Sequence, residues 1–113
     1  MVDFGRDPME WYGRLADSSA TDIEVTARYP VHEQYMSDAV ADVLEKLQLV
    51  GTETVLDVGC GVGFFTVPIA QRAARVMALD HPKLMSRVKT NAALAGTSNI
   101  EFLGADFNDA VIE

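Results

Sequence analysis

The feature that most constrains this chain is a short apolar run, Thr54-Val55-Leu56-Asp57-Val58, which passes without a break into Gly59-Cys60-Gly61-Val62-Gly63. Four to eight residues, rich in β-branched and aliphatic side chains and bounded by glycine, are the pattern of a buried parallel strand. Glycines at alternate positions then end it. They reach positive φ without steric penalty and let another group come close to bare backbone. A helix is predicted over residues 65–74, with Pro68 tolerated only in its first turn. A helix starting there would aim free N–H groups and the positive end of its dipole at whatever lies over the turn.

The same alternation continues downstream. Residues 75–79 form a second predicted strand ending at Asp80. Pro82 opens a helix whose Leu84, Val88, Ala92 and Ala95 recur at helical spacing as far as Gly96. Ile100-Glu101-Phe102-Leu103 is a third strand, ending near Asp106. The order β-α-β-α-β calls for right-handed crossovers and a parallel sheet, an α/β fold of Rossmann-like type. Upstream the texture is helical. Asp7, Pro8 and Glu10 mark a helix start, and Trp11, Tyr12 and Leu15 share a face. A loop over 17–30 follows. A helix over 32–48 carries Met36, Val40, Val43, Leu44 and Leu47, with Gly51 placed to end it. Residues 1–50 therefore read as a helical lead-in and 51–113 as the ligand-binding half. The aromatics Trp11, Tyr12, Tyr29 and Tyr35, with His32, are expected to pack the core or form a lid rather than select substrate.

Composition bounds the partners. The 113 residues are 49% hydrophobic, enough for one small packed domain. The formal net charge of -8 opposes charge-driven nucleic-acid binding by this segment, since phosphates reward basic surface. A small-molecule partner is the expectation, with a nucleic acid held by another domain left open. Cys60 is the single cysteine, so an intrachain disulfide is impossible, no metal site is expected, and a cytoplasmic compartment is the natural one. The first residues lack the basic start and apolar run of a signal peptide, and no apolar stretch approaches the roughly 18 residues that span a bilayer.

A glycine-rich turn alone says only that a nucleotide-like cofactor is accommodated. Two carboxylates sharpen it. Asp80 ends the next strand, 21 residues after Gly59 (80 minus 59), where an acid accepts hydrogen bonds from ribose hydroxyls. Asp57 lies two positions before the first glycine and can help hold a cationic, amino-acid-bearing group. The spacing disfavours a dinucleotide: G-x-G-x-x-G would need glycine at position 64, which is Phe64. No Gly-Lys-Ser/Thr occurs, so a phosphate-binding P-loop is excluded.

Val55-Leu56-Asp57-Val58-Gly59-Cys60-Gly61-Val62-Gly63 resembles the first motif of class I S-adenosylmethionine-dependent methyltransferases. Met77-Ala78-Leu79-Asp80 is similar to the second, and residues 99–107 to the third. The resemblance implies S-adenosylmethionine as cofactor and methyl transfer by direct displacement. It implies a cofactor site built from Asp57, Gly59, Cys60, Gly61, Gly63 and Asp80, with His81, Asp106 and Phe107 near the adenine. The family's sheet has seven strands in the order 3-2-1-4-5-7-6, of which these motifs supply three. The cofactor site is thus expected nearly whole and the catalytic site incomplete. An open edge on the first strand would pair with a second copy or a partner chain. The alternative reading is a non-catalytic cofactor-binding subunit that completes or activates another chain.

Overall fold

A computed structural model describes residues 33–106, 108 and 109. The expected helix at Asp7, the aromatics Trp11, Tyr12 and Tyr29, His32 and Phe107 lie outside these residues. The described elements are α1 (Glu33–Leu47), β1 (Thr54–Val58), α2 (Thr66–Ala70), β2 (Arg75–Asp80), a 3-10 turn (Pro82–Leu84) running into α3 (Met85–Leu94), and β3 (Ile100–Gly104). The three strands form one parallel sheet in the order β1-β2-β3. Val58 stands beside Leu79, and Asp80 beside Gly104. The Rossmann-like βαβαβ arrangement is the one expected. Among the described residues no strand pairs with the outer edge of β1.

The helices cover one face of the sheet through two clusters. Cys60, Ala78, Met85 and Val88 pack with Ile100 and Phe102. Ile69, Ala70, Ala73 and Val76 pack with Leu44, Leu49, Val55 and Phe65, and Ile100 touches both groups. Each fully buried aliphatic side chain contributes roughly 1.5–3 kcal/mol, so Val76, Val88 and Leu79 are strong anchors. Burial on both faces, expected for β1, belongs instead to the central β2, whose residues 76–79 are all buried. On β1 the alternate residues Leu56 and Val58 are exposed, because neither described cluster packs over the face they share.

The helix ends depart from expectation for local reasons. α1 stops at Leu47 because Gln48 takes a left-handed φ of 48°. Gly51 lies in the following loop instead, where the Glu53 carboxylate accepts the N–H groups of Val50, Gly51 and Thr52 at 2.7, 3.0 and 3.0 Å. These bonds hold Glu53 below the usual carboxylate range. α2 is only five residues long, with Pro68 at its third position, so no intrahelical N–H is missed. The Asn99 side chain donates to the carbonyls of Ala70, Ala73 and Ala74 at 2.8, 3.1 and 3.2 Å, which fastens the chain in turns beyond Ala70. Leu84, Val88 and Ala92 face the core as the spacing predicts, whereas Ala95, just past the end of α3, is exposed. Tyr35 is exposed on α1 and packs no core.

Candidate cofactor site

The site grows from the carboxyl ends of β1 and β2. After Val58 the chain bends across the tip of β2, where the N–H groups of Gly59 and Cys60 both donate to the Leu79 carbonyl at 2.8 and 3.1 Å. Gly59, Gly61 and Gly63 take φ values of 74°, 59° and 98°, a left-handed run that other residues adopt only under strain. The glycines serve different ends. Among the described residues a Cβ on Gly59 would meet nothing within 4 Å, so its bare backbone is left uncovered by them. A Cβ on Gly63 would come within 3.0 Å of the Val88 side chain and 3.4 Å of Val67, so this glycine lets α2 and α3 close together.

Asp80 ties the bend to the neighbouring strand. Its Oδ2 accepts the Gly61 N–H at 2.7 Å and its Oδ1 accepts the His81 N–H at 2.6 Å. An ionised carboxylate offers about four acceptor positions, so both oxygens keep capacity for further donors such as ribose hydroxyls. The Asp80 carbonyl accepts the Ala105 N–H at 3.0 Å, which sets the turn carrying Asp106 beside the same strand tip. The Asp106 carboxylate accepts the Asn108 N–H at 2.9 Å. His81 accepts the Lys83 N–H on its Nδ1 at 3.1 Å and so caps the 3-10 turn that leads into α3.

Asp57 is partly buried beneath the bend. The Thr66 hydroxyl donates to its Oδ2 at 2.6 Å. Burial pushes the Asp57 carboxyl up, the Thr66 bond opposes that rise, and the nearby Asp80 charge adds to it. Cys60 turns inward: its side chain is buried against Ala78, Met85 and Val88, and burial with two acidic neighbours pushes its thiol up to about 12. At neutral pH it is a thiol, not a nucleophile.

Two site-building residues escaped the sequence reading. Thr66, fully buried, is the donor to Asp57. Asn91 on α3 donates to the Val62 carbonyl at 2.8 Å and fixes the middle of the bend. Neither carries a one-dimensional signal beyond a hydroxyl in a helix's first turn and an amide at helical spacing from Val88.

The strand tips, bend and carboxylates describe a cofactor-binding α/β domain. The family model "Methyltransferase domain" matches residues 55–113, and the chain belongs to this family. That bears out the resemblance to S-adenosylmethionine-dependent methyltransferases. The chain is 44% identical over 70 residues to the 23S rRNA (uracil(1939)-C(5))-methyltransferase RlmD of Hahella chejuensis, covering 61% of this chain and 16% of that protein. It is 34% identical to the Pseudomonas aeruginosa protein of the same name, covering 99% of this chain and 24% of its relative. A Haemonchus contortus phosphoethanolamine N-methyltransferase, solved with phosphoethanolamine and S-adenosylhomocysteine, superposes with a TM-score of 0.79 at 20% identity, over 96% of this chain and 23% of that one. The last comparison supports the fold. The chain spans about a sixth to a quarter of the length of these relatives.

One expectation is overturned. A small-molecule acceptor was favoured over nucleic acid because the net charge is -8. The relatives carry names of rRNA methyltransferases, which favours a nucleic-acid substrate. The argument failed because net charge is a whole-chain sum and hides how the charges are distributed, and because most of each relative lies outside the aligned stretch.

Proposed function

We propose that the chain is the S-adenosylmethionine-binding portion of an RNA methyltransferase, with ribosomal RNA as substrate class. The observation that carries the cofactor half is the bond between the Gly61 N–H and the Asp80 carboxylate. It joins a glycine bend to a carboxylate at the tip of the adjacent parallel strand. The residues fit the cofactor: Gly59 presents open backbone, and Asp80 retains acceptor capacity for two ribose hydroxyls. Gly59, Gly61 and Asp57 would hold the amino-acid end, and Asp80 the ribose. Asp106, Phe107 and His81 would flank the adenine. The cofactor, when bound, supplies an activated methyl group on a sulfonium.

The chain's own residues position rather than react. The bend and strand tips are fastened by internal hydrogen bonds, so binding meets an ordered site and loses less conformational freedom. Positioning is the larger part of catalysis in a direct displacement, which needs nucleophile, carbon and leaving group in line. Cys60 takes no part as a nucleophile, given its buried, protonated thiol. The RNA half of the proposal rests on the named relatives. A cytoplasmic location accords with the single buried cysteine, and no described helix is long and apolar enough to cross a membrane.

Calorimetry with S-adenosylhomocysteine tests the cofactor site. The parent chain is expected to bind it and to ignore NAD. D80N should bind about tenfold or more weakly, since hydrogen bonds to a charged group contribute about 1.5–3 kcal/mol. Equal affinity of parent and D80N would remove Asp80 from the site.

A further inference from the structure

The distribution of charge singles out one stretch of the sequence. Five of the nine Lys and Arg residues (Arg72, Arg75, Lys83, Arg87 and Lys89) fall within residues 72–89, where Asp80 is the only acid. That stretch is net +4, while the remaining positions hold four cations and sixteen acids. Asp80 is engaged by backbone N–H groups at the strand tip. Arg75 pairs with Glu101, and Lys89 lies over the Phe102 ring at 5.6 Å, on the flank of α3 nearer β3. Lys83 is exposed on the 3-10 turn, and on α3 Arg87 is half-exposed between the exposed Ser86 and Thr90.

Two shallow depressions lie nearby, one of them bordered by Arg87. One, of about 210 Å³, is lined by Ser86, Arg87, Thr90 and Asn91. The other, of about 280 Å³, is lined by Phe64, Val67 and Pro68 with the bend residues Val62 and Gly63. Asn91 borders both. Each is smaller than the roughly 300–1,000 Å³ of pockets that enclose a small molecule. Together they offer cationic and hydroxyl groups leading to a half-buried aromatic. Proteins hold single-stranded nucleic acid in this way, with charge tracking phosphates and an aromatic ring stacking a base.

We propose that the surface formed by Lys83 on the 3-10 turn and by Ser86, Arg87 and Thr90 on α3, with Phe64 nearby, docks the backbone of a single-stranded RNA segment. The inference rests on the RNA-substrate reading above and adds the surface.

Fluorescence anisotropy with an end-labelled, mixed-sequence RNA 12-mer tests it over a series of salt concentrations. Calorimetry with S-adenosylhomocysteine is run on the same samples. K83Q/R87Q is expected to bind RNA about tenfold more weakly at low salt. Its slope of log K against log salt should shrink by about 1.4, near 0.7 per lost phosphate contact. R87K should keep the slope, F64A should weaken binding at every salt concentration with the slope unchanged, and K46Q on α1 should match the parent. Retained S-adenosylhomocysteine binding shows that each variant is folded. Parent-like RNA binding by folded K83Q/R87Q overturns the surface and leaves the RNA reading standing. A parent that binds the cofactor product but no RNA overturns both.

Discussion

Replacing Thr66 with valine removes one hydroxyl while keeping side-chain shape. Thr66 is fully buried, and its hydroxyl donates to the Asp57 carboxylate at 2.6 Å. A hydrogen bond to a charged group contributes about 1.5–3 kcal/mol, and little cavity opens because valine fills the same space. T66V should therefore lose about 2 kcal/mol at pH 7. With a urea m-value of ~2 kcal/mol/M, the unfolding midpoint falls by about 1 M. The loss depends on pH, and its sign follows from Asp57. Burial raises the folded carboxyl above its unfolded value, so stability is greatest when the group is protonated and declines as pH rises through that window. The Thr66 bond works against the rise, and removing it extends the window upward. The deficit of T66V should accordingly shrink to about 1 kcal/mol near pH 4, where a neutral bond is lost, and grow toward pH 7. Urea melts at pH 4, 5.5 and 7, followed by circular dichroism, read it directly. A deficit that is constant with pH, or larger in acid, would refute the coupling.

G63A should be destabilised by at least 2 kcal/mol in thermal or urea melts, because φ is 98° and the new methyl meets Val88 at 3.0 Å. Gly59 has open space at the same atom, so G59A should lose only the backbone part, about 1 kcal/mol, and a loss equal to that of G63A would contradict the distinction. Cys60 should resist iodoacetamide at pH 8 in the native chain and react in urea, since its thiol is buried and pushed up to about 12; rapid native labelling would show the thiol exposed. N99A should lose about 1–3 kcal/mol in urea melts, as three carbonyls lose one donor, and parent-like stability would contradict the fastening role of Asn99.

The strands were legible because their signal is local. Apolar runs between glycine and acid place β1, β2 and β3 within a residue of where the structure has them. What was hidden depends on residues far apart in the chain. α2 is short because Asn99, more than 20 positions away, fastens the turns beyond it. α1 ends where Gln48 turns left-handed, which no propensity marks, and Glu53 then organises the loop around Gly51. The glycine trio was readable as a bend, but the sequence makes its members equivalent. Only packing separates Gly59, facing open space, from Gly63, wedged against Val88. Asp80 was legible as the end of the second strand, whereas its grip on the Gly61 N–H required the parallel register to be known.

That grip would join folding to the proposed ligand recognition. The Asp80 oxygens that stabilise the bend are the same atoms proposed to meet the ribose, and each holds one backbone N–H already. Ribose hydroxyls would then add to these bonds rather than displace them, so the carboxylate needs no reorientation on binding. The arrangement has a consequence for substitution. Asparagine at position 80 replaces one acceptor oxygen by a donor, which faces either the Gly61 or the His81 N–H. The bend should loosen even without ligand, and affinity should fall for two reasons at once. Glutamate would keep the charge but carry it one methylene farther from the bend, so it tests geometry where asparagine tests charge. The two effects separate when ligand affinity and ligand-free stability are compared: the part of the affinity loss exceeding the loosening of the bend belongs to direct contact with the ribose.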